Sequence, residues 1–303
     1  MERNKFNPEK HIKKPVERID NGVWRPVIFD DYSDRMAAGA STKELTLGYK
    51  QENVLRLLGS PDRFEAPIKE RLRAGRVLAK VRDELDPDVD THHIVKSKLE
   101  FTGNVKVIDA DWVSDLEKGN LAEKSKLLKG IDGMITDQPG YPLYIPAADC
   151  APIGLYDPEH NAIGAFHTGF YGVAEGIIEN GLNLMKETYK TDPKKVVLVI
   201  GPGIHDYEVG VAMKDSFIER YGENATEFVR ESAEEGKYII NLPGAIKQKY
   251  MDLGVPEDNI SVSEYDTTKS TDVFPSDRQE RNDGVDREKI DRFGFMITLK
   301  KQA

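Results

Sequence analysis

The chain has 303 residues, 39% apolar and 32% charged, with a formal net charge of −10 and a single cysteine. That acidic balance argues against nucleic-acid binding, which clustered Lys and Arg drive, and no apolar run approaches the roughly 18 residues of a membrane span. One cysteine rules out an intrachain disulfide, no secretory signal is visible behind Met1, and the cytoplasm is the expected compartment.

Residues 1–20 are polar and read as a flexible arm ahead of one catalytic domain over 21–303. A strand is predicted over 24–29. The small residues of Arg35-Met36-Ala37-Ala38-Gly39-Ala40-Ser41 imply a backbone that something approaches closely. Residues 51–58 read as a short helix stopped by Gly59-Ser60-Pro61. Alternation predicts strands over 105–109, 133–137 and 141–145. Residues 152–156 and 162–166 flank Asp157-Pro158-Glu159-His160-Asn161 as strand, tight turn and strand.

After His167, Val173, Ile177, Leu184 and Thr188 recur at helical period with Ile178 and Met185 beside them, which predicts a helix. An almost fully apolar strand over 195–200 ends in Gly201-Pro202-Gly203. Helices are predicted over 214–221, 224–231 and 243–253; Asn224 is a favoured N-cap residue and Pro243 a favoured first-turn residue. Strands over 260–262 and 293–299 close the chain. Between them, residues 267–292 carry only Phe274 and Ile290 as large apolar residues and read as a long exposed loop. With no internal repeat or linker, the expectation is a single α+β domain.

If the two strands around residue 159 pair as a hairpin, Cys150 just before the first meets His167 just after the second. A thiolate beside an imidazole can bind zinc or act as a nucleophile with its base. The turn Gly169-Phe170-Tyr171-Gly172 that follows opens a helix, a place where anions bind. A lone cysteine is more often an inert core residue, and a histidine at a strand end is often satisfied by neighbouring carbonyls.

Residues 131–140 (IDGMITDQPG), Ala148-Asp149-Cys150 and His167-Thr168-Gly169-Phe170-Tyr171-Gly172 together resemble the laccase-domain family, also called multicopper polyphenol oxidases, which includes purine nucleoside phosphorylases. Gly201-Pro202-Gly203-Ile204, Tyr207-Glu208-Val209-Gly210 and residues 41–49 are similar to further family motifs. The resemblance covers residues 27–299 and implies an αββα-layered mixed-sheet fold. It implies phosphorolysis of a purine nucleoside such as adenosine or inosine, with phosphate as co-substrate, adenosine deamination as a second activity, and a zinc site of His, Cys and His. On this mapping Cys150 and His167 are catalytic and zinc-binding positions, and Ser41 and Arg278 fall in segments expected to bind substrate. Several copper centres are not expected from one thiol and six histidines.

The chain departs from the family pattern at the site. Thr102 stands where the family's first histidine ligand is expected, and a neutral hydroxyl is a poor zinc ligand. Tyr171 replaces an arginine, Glu264-Tyr265-Asp266-Thr267 replaces a cysteine-bearing segment, and Ser276-Asp277-Arg278-Gln279 keeps a basic loop only loosely. His205, in the turn after the apolar strand, is the candidate to complete the zinc set; His92 and His93 are less well placed, and His160 and His11 are expected to face solvent. Three readings stay open: a metal-assisted purine nucleoside phosphorylase, a metal-independent Cys–His hydrolase or deamidase, and a non-catalytic relative that binds a nucleotide or a protein.

Overall fold

Two six-stranded mixed sheets pack face to face, and the alternation of side chains along their strands decides what each face buries. The structure is a computed structural model that describes residues 17–43, 79–90, 93–96, 99–117, 128–222, 224–286 and 290–301. The first sheet has the order β1 (Glu17–Asp20), β2 (Val23–Pro26), β3 (Met36–Ser41), β15 (Phe293–Leu299), β7 (Leu143–Ala147) and β4 (Val95–Lys96). The second runs β14 (Ile260–Val262), β10 (Val197–Ile200), β8 (Ala151–Asp157), β9 (Ala162–Thr168), β6 (Gly133–Thr136) and β5 (Val105–Val107). A small third sheet joins β11 (Asp206–Gly210), β13 (Lys237–Asn241) and β12 (Val229–Glu231).

Along β10, Val197 and Val199 face the first sheet while Leu198 and Ile200 face the other way. Along β9, Ile163 and Ala165 join the core between the sheets and Phe166 joins the core under the helices. This period of two buries both faces of the second sheet, so its strands are apolar almost throughout. The outer face carries α2 (Phe170–Ala174), α3 (Ile177–Tyr189), α4 (Val211–Tyr221) and α5 (Leu242–Asp252). On the first sheet, Ala38 and Ala40 point inward, while a Cβ at Gly39 would lie 2.7 Å from the Trp24 carbonyl oxygen and 3.1 Å from Leu85 Cδ2. The close approach expected of the small-residue segment is therefore made by β2 and by the short helix at 79–85, which covers this face. The layering is helix, sheet, sheet, helix, as expected for an α+β domain.

Several local expectations are corrected. Glu17–Asp20 pairs antiparallel with Val23–Pro26, so the arm expected over 1–20 does not include these residues; residues 1–16 lie outside the described residues. Residues 27–29 leave the strand and enter a 3-10 helix, Val27–Tyr32. The expected helix over 224–231 is a short 3-10 turn, Ala225–Phe228, followed by β12, because Val229 pairs with Ile240. The helix after His167 is broken into α2 and α3 at Gly176, whose φ of +76° suits glycine. Within 267–292, Ser276 caps a helix, α6 (Asp277–Asn282), by accepting from the Gln279 amide. The expected helix over 51–58 lies outside the described residues.

Candidate active site

The β8–β9 hairpin sets the geometry. Its register runs from Ala151 opposite Thr168 to Asp157 opposite Ala162. Asp157, buried at the turn, accepts from the amides of Glu159 and His160 at 2.9 and 3.2 Å and contacts His160 Nδ1 at 2.8 Å. That turn fixes the strands in step, and a slip of one residue would send His167 to the opposite face. The hairpin forms as the sequence led us to expect, and its open end, where Ala151 pairs with Thr168 and Pro152 with His167, sets Cys150 beside His167.

Cys150 enters its strand through a bend at Asp149, a non-glycine residue with φ of +73°. Three anchors hold that bend. The Asp149 carboxylate accepts from Thr267 Oγ1 at 2.6 Å and from the Arg278 amide at 2.7 Å, and its carbonyl accepts from the Ile204 amide at 2.8 Å. Cys150 itself is partly exposed. Gly169 lies so close to the sulfur that a Cβ there would collide with it.

His167 is buried, and its Nδ1 lies 3.1 Å from Asp132 Oδ1. Asp132 is fully buried and was not singled out from the sequence. Its carboxylate accepts from the amides of Glu100, Phe101 and Thr102 at 3.1, 3.1 and 2.9 Å. Thr102 Oγ1 lies 2.9 Å from both Asp132 Oδ2 and the Gly130 carbonyl oxygen. A left-handed backbone at Phe101, φ +59°, turns the loop so that these amides converge. Burial alone would raise the Asp132 carboxyl; hydrogen bonds from His167 and from the Thr102 and Glu100 amides reverse this and hold it below the usual carboxylate range. For His167, burial would favour the neutral ring, but the Cys150 sulfur and the Asp132 carboxylate outweigh it and raise the ring from 6.5 to about 9. The ring is therefore a cation at neutral pH.

One aromatic ring packs against His167 and others cluster on Phe170. The Phe101 ring is 40% exposed and lies 5.3 Å from the His167 ring, centroid to centroid. Tyr171, 53% exposed, packs edge-on against Phe170 at 5.2 Å. Tyr207 packs against Phe170 at 5.9 Å, and burial raises its phenol above the ordinary value against the pull of Arg278. The Arg278 guanidinium stands 4.5 Å over the Tyr207 ring.

The other expected site residues divide. Arg278 is on this side of the molecule, tied through its amide to Asp149. Ser41 is buried in β3 with its hydroxyl accepting from the Gly294 amide at 3.0 Å, a role in joining strands. His205 is half-buried, and its Nε2 has no hydrogen-bond partner. Among the described residues no three His, Cys, Asp or Glu side chains converge to hold a metal ion, so His205 does not complete a set with Cys150 and His167. The Thr102 hydroxyl is committed to Asp132 and Gly130. The donors present do not fit the three protein ligands of a catalytic zinc. His93 stacks on Tyr141 at 4.7 Å, and the His160 side chain is 33% exposed at the hairpin tip; His11 and His92 lie outside the described residues.

Comparison with known proteins agrees with this fold and these motifs. Residues 86–292 match the family model for multi-copper polyphenol oxidoreductase laccase. The chain is 33% identical over 159 residues to a purine nucleoside phosphorylase of Bacteroides thetaiotaomicron, covering 52% of this chain and 58% of that one. It is 30% identical over 176 residues to the purine nucleoside phosphorylase YlmD of Geobacillus stearothermophilus, covering 57% of this chain and 64% of that one. The chain thus spans about three fifths of the length of these curated relatives. Among solved structures, Bacillus licheniformis YfiH superposes with a TM-score of 0.77 at 23% identity, covering 95% of this chain and all of that one. YlmD of Geobacillus stearothermophilus superposes with a TM-score of 0.74 at 21% identity, with the same coverage. No helix among the described residues is long and apolar enough to cross a membrane.

Proposed function

The chain belongs to the multi-copper polyphenol oxidoreductase laccase family, and from that membership we propose that it is a purine nucleoside phosphorylase acting on adenosine or inosine. The observation that carries the reading is a pair of cations each beside an aromatic ring, His167 with Phe101 and Arg278 with Tyr207, on the two sides of the Asp149–Cys150 bend. The His167 imidazolium and the Arg278 guanidinium offer positive charge to phosphate, and Phe101, Tyr171 and Tyr207 offer faces to a purine. The relatives' names support the substrate class. In this reaction a phosphate oxygen attacks C1′ of the ribose and the base leaves. Positioning and charge stabilisation by His167 and Arg278 are what the protein supplies. Deamination of adenosine at the same place is a second activity under this reading. The donor set does not support a zinc-assisted version, and no step is assigned to a metal. Small-molecule substrates and a cytoplasmic location complete the proposal, and the net charge of −10 accords with no nucleic-acid partner.

The test is release of adenine from adenosine, or hypoxanthine from inosine, measured by chromatography with and without phosphate. Phosphate-dependent base release that falls in Arg278→Ala supports the proposal. Purified folded protein that releases no base from either nucleoside overturns it.

A further inference from the structure

Cys150, His167 and Asp132 meet at the open end of the β8–β9 hairpin. Cys150, a partly exposed residue, stands there beside the buried imidazole of His167, whose charged form its sulfur favours. That imidazole is oriented at its Nδ1 by a fully buried carboxylate at 3.1 Å. Nucleophile to base and base to orienting acid are the two contacts that define an activated thiol. The carboxylate is held by three backbone amides, and the Thr102 hydroxyl lies 2.9 Å from its Oδ2. Asp149 presents Cys150 on a left-handed bend beside Gly169, whose missing side chain leaves the sulfur room. The Phe101 ring lies 5.3 Å from the imidazole, tilted 58° to it. None of these features depends on a metal.

We propose that Cys150, His167 and Asp132 form a metal-independent triad that transfers acyl groups from amides or esters to water, an activity beyond the nucleoside reaction. The Cys150 thiolate attacks the carbonyl carbon and a C–S bond forms. The C–N or C–O bond breaks as His167 gives its proton to the leaving group. Water then adds to the thioester while His167 takes its proton, the C–S bond breaks, and a carboxylic acid leaves with Cys150 and His167 back in their starting forms. His167 is catalytic; Asp132 is a positioning residue that acts through it.

The full-length protein, treated with EDTA, is mixed with 4-nitrophenyl acetate, and nitrophenolate release and intact mass are followed together. The expected result is a burst of about one equivalent with an acetyl group mapped to Cys150, unchanged by EDTA. His167→Ala lowers the acylation rate by about 10²-fold or more, and added imidazole restores part of it. Asp132→Asn also slows acylation, and the double variant is no slower than His167→Ala alone, because the residues act as a unit. Thr102→Val, which keeps the three backbone amides, gives a smaller loss in the same direction and guards against misfolding of the Asp132 variant. Loss of the burst in EDTA, acylation at Cys150 no faster than in the unfolded chain, or independent additive losses in the double variant would overturn the proposal. Base release from adenosine is measured on the same preparations, so failure of the phosphorylase reading registers separately.

Discussion

Asp132 grips His167 at two points. Its Oδ1 lies 3.1 Å from the ring Nδ1, and its main-chain carbonyl accepts the His167 backbone N–H at 2.8 Å. One contact fixes the strand end and the other fixes the ring on it. Both partners are out of solvent, so their attraction is screened far less than that of a surface pair.

This grip has a pH signature. The His167 ring is raised in the folded protein from 6.5 to about 9, so its charged form is bound more tightly in the native state. The resulting stability is fully present below pH 6.5 and is lost as pH rises through about 9. The melting temperature of the native chain should therefore fall across that interval, and that of His167→Gln should fall less. Differential scanning fluorimetry at closely spaced pH values checks this. Parallel curves for the two proteins would show that the His167 charge is not coupled to folding.

Thr102 is the position at which the family resemblance expects a metal ligand. In Thr102→His an imidazole returns beside Cys150 and His167, giving the three protein ligands that a catalytic zinc takes. After incubation with zinc and dialysis, the variant should retain about one zinc per chain and the parent chain much less. Elemental analysis by plasma mass spectrometry reads this directly. Equal retention by both proteins would mean that Thr102 does not stand at the family's ligand position.

The meeting of Cys150 and His167 was legible in the sequence because a tight turn between two apolar strands fixes which residues face each other. Asp132 was not, although it lies in the IDGMITDQPG segment that carries the family resemblance. Its partner is 35 residues away, and its role depends on the amides of residues 100–102, which no side-chain pattern announces. Strand positions followed from apolar runs such as residues 195–200, whose strand begins at Val197, while the order of the strands within each sheet was set by pairings distant in sequence. The error at 224–231 arose because Asn224 favours a helix start while Val229 finds a strand partner in Ile240, and the tertiary contact won. Residues 267–292 looked like an open loop because their polarity hid hydrogen bonds inward, from Thr267 and Arg278 to Asp149.

Gly169 leaves the sulfur its space. Its φ of −111° is open to any residue, so a substitution here acts by contact alone and without backbone strain. In Gly169→Ala the new methyl collides with Cys150 Sγ and pushes it from the ring of His167. Displacements of about 1 Å in a reacting group can cost about 10²-fold in rate. Alkylation of Cys150 by iodoacetamide should slow by a factor approaching this while circular dichroism stays unchanged. An unchanged alkylation rate would show that the sulfur has room to move within its contact with His167.

Asp149 joins three segments to the bend that presents Cys150. Its carboxylate accepts from Thr267 and from the Arg278 amide, and its carbonyl accepts from Ile204. Asp149→Ala leaves the Thr267 hydroxyl and the Arg278 amide without that acceptor and puts a methyl-bearing residue at φ +73°, where aspartate is better tolerated. Two lost hydrogen bonds at about 1 kcal/mol each, with a further penalty for leaving buried donors unpaired, suggest a loss of about 2–4 kcal/mol in urea unfolding. Asp149→Gly separates the two effects, since it removes the same acceptors and relieves the backbone. It should therefore lose less stability than Asp149→Ala, while both lose the placement of Arg278 beside Tyr207. If the two variants were equally stable, the bend would carry no strain, and the carboxylate alone would account for the residue's position before Cys150.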